Sequence, residues 1–141
     1  MTTTQQTTVE RLLEDWATTL SARDVDGFLL LFSDDVVYED VTFGVVNHGK
    51  AELRAFIQGA VDGFPDLKFA LTSQFSAGDW AAMEWTWTGT HAALPGMPAT
   101  TKPFRVRGAT IIELRDGKIK RNTDYWDLAT LLKQVGLMPT S

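Results

Sequence analysis

The chain of 141 residues has no cysteine, only two histidines and no long apolar run. Without cysteine there is neither a disulfide framework nor a thiolate metal site, which fits a reducing compartment and leads us to expect a cytoplasmic protein. The histidines, His48 and His91, lack H-x-x-x-H or any comparable ligand spacing, so no metal is expected. Gly-rich phosphate cradles and nucleophile elbows are also missing, and no cofactor is expected. No segment approaches the length of a membrane span, and residues 1–8, MTTTQQTT, lack the basic and apolar parts of a signal peptide. Lysine and arginine nowhere cluster. The formal charge of -5 therefore opposes polyanions and argues against nucleic acid or an anionic membrane as partners. A small, neutral, hydrophobic ligand fits better.

What is present suits one packed domain: 44% hydrophobic and 11% aromatic residues, in a length that buries a real core but is short for two. We expect residues 1–8 to be a flexible tail and 9–141 the domain. Val9, Leu12, Leu13, Trp16, Ala17 and Leu20 form the stripe of an amphipathic helix. Asp24 can cap a second helix running to Phe32. Residues 36–41 read as a short strand, a Gly-rich turn follows, and a third helix carries Leu53, Phe56, Ile57, Ala60, Val61 and Phe64 up to Pro65. Beyond it the period becomes two, with strands expected over 67–76, 79–90, 102–114 and 117–126. Ala77-Gly78-Asp79 and Arg115-Asp116-Gly117-Lys118 suit tight hairpins, whereas 91–101 is a long loop that could serve as a lid. Asp127 caps a last helix. Helices first and strands after predict an α+β fold with a curved antiparallel sheet.

The order of these elements carries several local motifs. They are FSDDVVYED from Phe32 to Asp40, His48-Gly49 at a helix start, Gly89-Thr90-His91 with PATTK from Pro98, and Asp116-Gly117-Lys118-Ile119 followed by Asp124-Tyr125-Trp126-Asp127. Together they resemble the nuclear transport factor two-like superfamily, particularly SnoaL-type polyketide cyclases and ketosteroid isomerases, across nearly the whole chain. The resemblance implies a cone-shaped α+β barrel enclosing a pocket, often in a homodimer. The superfamily spans isomerases, cyclases, dehydratases, epoxide hydrolases and non-enzymes, so the fold does not choose among them.

By that resemblance Asp40 matches the general-base aspartate of ketosteroid isomerases, and Asp124 matches the acid/base aspartate of the cyclases and an acid of the epoxide hydrolases. Both belong to residue types whose pKa rises in an apolar cavity, which suits proton transfer near neutrality. Capping a turn is the other role open to Asp40, and solvent exposure the other setting open to Asp124. Trp16 and Thr110 stand where the isomerases place a tyrosine donor and an oxyanion acid, and Trp85 and Trp87 where epoxide hydrolases place an arginine and an aspartate. Trp85, Trp87 and Trp126 offer flat walls for a ligand or ordinary core packing. Tyr38 shares the face of Asp40 and could donate a hydrogen bond, while His91, beside the long loop, could shuttle a proton. His48 reads as structural. The expected activity is cofactor-free cyclisation or isomerisation of a small hydrophobic carbonyl compound. A binding or assembly module without chemistry, and a hydrolase or dehydratase in which Asp124 activates water, are the alternatives.

Overall fold

The computed structural model describes residues 3–139. Its elements are α1 (Thr3–Ser21), α2 (Val25–Leu29), β1 (Phe32–Asp40), β2 (Val45–His48), α3 (Gly49–Gly63), β3 (Lys68–Ala77), β4 (Trp80–Gly89), β5 (Phe104–Arg115), β6 (Lys118–Trp126) and α4 (Leu128–Gln134). The stripe on α1 is buried at Val9, Leu13, Trp16, Ala17 and Leu20. That helix begins at Thr3, ahead of Val9, so most of the segment expected as a tail continues α1; residues 1 and 2 lie outside the described residues. Once a packed turn exists, each further residue adds one hydrogen bond at little cost, and polar Thr and Gln can extend it.

Asp24 and Asp127 cap α2 and α4 as expected, accepting from Gly27 N at 2.9 Å and Thr130 N at 3.0 Å. The second helix is shorter than its apolar spacing suggests: α2 ends at Leu29, and Phe32 opens β1. The β5–β6 hairpin turns through Asp116 (φ 52°) and Gly117 (φ 76°), two left-handed residues as an Asp-Gly turn requires. Within the expected Gly-rich turn lies β2, an edge strand of four residues, too short to show a period.

The six strands form one curved, unclosed sheet packed against the helices, in the order β2-β1-β6-β5-β4-β3. Edges remain at β2 and β3, so the sheet is not a closed barrel. One junction also departs from the antiparallel expectation: β1 runs parallel to β6, with Tyr38 opposite Asn122 and Asp40 opposite Asp124. This junction joins the first strand to the last, and register then carries the row onward. Asp40, Asp124, Thr110 and Met83 lie side by side across β1, β6, β5 and β4. A neighbouring row places Trp126, Gly108 and Trp85 together. Successive residues of a strand alternate in face, so both rows point to the same side of the sheet. The opposite side leaves Phe75, Ile111 and Tyr125 exposed.

Candidate functional site

A cavity of about 470 Å³ lies between the sheet and helices α1 and α3. Its walls are largely aromatic. Trp87 stacks on Phe69 with centroids 5.5 Å apart and meets Trp126 edge-on at 5.3 Å, while Trp16 stacks over Trp85 at 6.1 Å. Gly108 makes this packing possible, because a Cβ there would stand 2.3 Å from the Trp85 indole. Of the residues singled out in the sequence, Trp16, Tyr38, Asp40, Trp85, Trp87, Asp124 and Trp126 all line this cavity.

Asp40 closes β1 at the cavity edge and is buried. Its Oδ1 accepts from Phe43 N at 2.9 Å, and both its oxygens share the Trp126 indole N–H at 3.2 and 3.1 Å. It thus caps the β1–β2 turn and also faces the cavity. Burial raises its pKa, and the backbone donors of the turn and Trp126 partly oppose that rise.

Asp124 sits mid-sheet under a denser shell. Its Oδ1 accepts from Thr110 Oγ1 at 2.7 Å and Asn122 Nδ2 at 2.8 Å, and Tyr38 donates to Oδ2. Two indoles stand behind those donors. Trp85 Nε1 donates to Thr110 Oγ1 at 2.9 Å, and Trp16 Nε1 donates to Asn122 Oδ1 at 3.1 Å. An indole N–H can only donate, so Thr110 must turn its single proton, and Asn122 its amide hydrogens, toward Asp124. Burial nevertheless dominates and pushes Asp124 up to about 7; Asp40 adds a like-charge contribution, and the donors pull the other way. Tyr38 is held well above the usual phenol range, first by burial and then by the Asp124 charge.

Thr110, expected among the ligand-contacting residues, is fully buried against Asp124 and Trp85 and is not part of the cavity wall; its hydroxyl instead orients the acid. His91 lies outside the cavity. Its half-exposed ring meets Thr90 Oγ1 at 3.0 Å and Asp66 at 3.8 Å, because the chain leaves β4 there and turns to the surface. The loop it opens is pinned: Ala92 and Thr100 exchange two backbone bonds, and Ala93 N donates to Gly63 O at 2.9 Å. Through Ala93 and Pro95 the loop forms part of the wall. Asn122 belongs to the site as well, although strand alternation marks it only as a neighbour on the same face. Its spacing two before Asp124 is the one signal the sequence offers for it.

Among the described residues no helix is long and apolar enough to cross a membrane. A family model described as SnoaL-like polyketide cyclase matches residues 10–135. No curated protein matches the chain. Among solved structures, TsrD from Streptomyces laurentii superposes with a TM-score of 0.83 at 23% identity, covering 94% of this chain and 97% of that one. A candidate SnoaL-like polyketide cyclase from Jannaschia sp. CCS1 gives 0.84 at 18% identity, covering 95% of each chain. A protein with a ketosteroid isomerase-like fold from Catenulispora acidiphila, in complex with trimethylamine, gives 0.78 at 24%, covering 90% of this chain and 93% of that one. At these identities the likeness shows the shared fold.

Proposed function

Because the chain belongs to the SnoaL-like polyketide cyclase family, we propose that it is an acid/base enzyme that cyclises or isomerises a small hydrophobic carbonyl compound without a cofactor. The observation that carries this reading is the pair of carboxylates in one aromatic cavity, held in unlike surroundings. Asp40, with a pKa raised less and an edge position, serves as the base that takes a proton from the carbon α to the carbonyl. Asp124, near 7, serves as the acid on the carbonyl oxygen. One C–H bond breaks as an O–H bond forms on Asp40, and the carbonyl becomes an enol using the proton of Asp124. Return of the Asp40 proton to another carbon, as the enol O–H proton goes back to Asp124, isomerises the compound. Attack of the enol carbon on a second carbonyl of the same molecule, with the Asp40 proton passing to the new alkoxide and the enol O–H proton returning to Asp124, cyclises it. The electron sink is the substrate's own carbonyl.

The test is deuterium incorporation at the α-carbons of a panel of hydrophobic ketones in heavy water, followed by mass spectrometry. Asp40→Asn and Asp124→Asn should each slow exchange by roughly 10²-fold or more. Unchanged exchange in both variants overturns the reading. Binding without chemistry is the second reading, favoured by the three donors that already occupy both oxygens of Asp124. Saturable ligand binding with no exchange in the wild type would support it. The same occupancy weakens water activation by Asp124, since only one acceptor site, on Oδ2, remains for the water.

A further inference from the structure

We propose that Tyr38 is the group that touches the substrate carbonyl, and that Asp124 acts through it as a proton reservoir, the phenol reversing its hydrogen bond each time Asp124 gains or loses its proton. This inference rests on the acid/base reading above and adds a residue to it. The argument is one of hydrogen positions. Thr110 and Asn122 are obliged by the Trp85 and Trp16 indoles to point their hydrogens at Oδ1 of Asp124. A proton placed on Oδ1 would therefore oppose two hydrogens. It must sit on Oδ2, whose partner is the Tyr38 hydroxyl.

When Asp124 is ionised, Tyr38 donates to Oδ2. When Asp124 is protonated, its own O–H occupies that line and donates to the Tyr38 oxygen, so the phenol proton must turn elsewhere. The other polar neighbour of the buried Tyr38 hydroxyl is Asn122, whose amide acts toward the pair as a donor while its oxygen accepts from the Trp16 indole. Since Tyr38 also lines the cavity, the cavity is the direction left to its proton. A carbonyl oxygen there receives the Tyr38 hydrogen bond only from the protonated state. During transfer the Tyr38 proton passes to the substrate oxygen as the Asp124 proton passes to Tyr38. One O–H bond of Asp124 is lost, one O–H bond of the enol is gained, and the phenol ends neutral. Its pKa, held high by burial, keeps phenolate out of the cycle. Around the pair, α1 presents Trp16, α3 Phe56, β5 Thr110, and β6 Asn122 and Trp126, while Asp40 on β1 is the charged neighbour.

The chain has two tyrosines, Tyr38 and the half-exposed Tyr125. Labelling tyrosine with ¹³C at Cζ therefore gives two resonances, assigned by Tyr125→Phe. Between pH 5 and 9 the Tyr38 carbon should show an inflection near 7, moving away from the tyrosinate position as the pH falls. Asp124→Asn should freeze it at its low-pH value, since an amide N–H facing Tyr38 mimics the protonated acid. The second readout is 2-acetylnaphthalene labelled at its carbonyl carbon. It should bind roughly three- to ten-fold more tightly below pH 7, the factor expected for one added hydrogen bond. Tyr38→Phe should abolish that pH dependence. A Tyr38 carbon flat across this range overturns the relay even where Asp40→Asn and Asp124→Asn both abolish ketone exchange. If the inflection is present while both variants exchange normally, the relay stands and the assigned reaction fails.

Discussion

Asp40 and Asp124 face each other across the parallel β1–β6 junction, and the two ends of that pairing are built differently. Asp40 is held by a turn amide and one shared indole, at the rim of the sheet. Asp124 has three side-chain donors, two of them locked in direction by tryptophans. Hydrogen bonds to a carboxylate favour its charged form, so by donors alone Asp124 would be the stronger acid, yet it is pushed up further. At Asp124 the desolvation that comes with burial thus outweighs three good hydrogen bonds. Donors then determine where the proton sits, and burial determines whether it is there.

The largest effect that can overturn this contrast is the dependence of stability on pH. Folding raises the pKa of Asp124 from 3.8 to about 7, so the folded chain holds a proton in that interval that the unfolded chain releases. The resulting stabilisation is complete below about pH 4, shrinks as the pH rises, and is gone above the folded pKa; each pKa unit of the rise corresponds to about 1.4 kcal/mol. Asp124→Asn lacks this slope. Urea unfolding from pH 4 to 8 should show the wild type losing on the order of a few kcal/mol relative to the variant. Asp35, Asp66 and Asp127, whose pKa values are lowered by their side-chain partners, slope in the opposite sense in both proteins and cancel. A difference that stays constant with pH would mean that the Asp124 carboxylate is not desolvated.

That contrast also marks what is legible in the sequence. The stripe on α1, the Asp-Gly hairpin and the Asp127 cap depend on residues close in the chain, and each is found where the spacing puts it. Alternation is enough to place Asn122, Asp124 and Trp126 on one face. The parallel pairing of β1 with β6 joins segments more than eighty residues apart, and nothing local distinguishes it from an antiparallel neighbour. The direction of the Thr110 and Asn122 hydrogen bonds depends on indoles from β4 and α1, so it exists only in three dimensions. His91 misleads for the same reason: a histidine at a strand end is placed by the loop's exit path, which the strand pattern does not contain.

Thr110→Val probes the two acids at an intermediate scale. The variant keeps shape but removes one donor from Asp124 and the acceptor of the Trp85 indole. Leaving buried partners unsatisfied should cost about 1–3 kcal/mol. The loss should be larger at pH 8 than at pH 5, because the missing bond is stronger to the carboxylate than to the acid. Removing a donor from the charged form raises the pKa of Asp124, so the Tyr38 inflection should move above 7. Equal destabilisation at both pH values would show that Thr110 merely fills space.

The smallest effect belongs to the other acid. Trp126→Phe preserves the aromatic wall and deletes the indole N–H shared by the two oxygens of Asp40. Burial remains, and so do the backbone donors of Phe43 and Thr42. The pKa of Asp40 should therefore rise a little further, and by less than that of Asp124 in Thr110→Val, followed by ¹³C titration of the aspartate carboxyl carbon. Asp124 keeps its three donors in this variant, and its own titration should barely move. A rise at Asp40 as large as the one Thr110→Val produces at Asp124 would erase the distinction between the two ends. The carboxylate at the strand end would then depend on its side-chain donor as much as the mid-sheet one does, and its assignment as the base could no longer rest on a different setting.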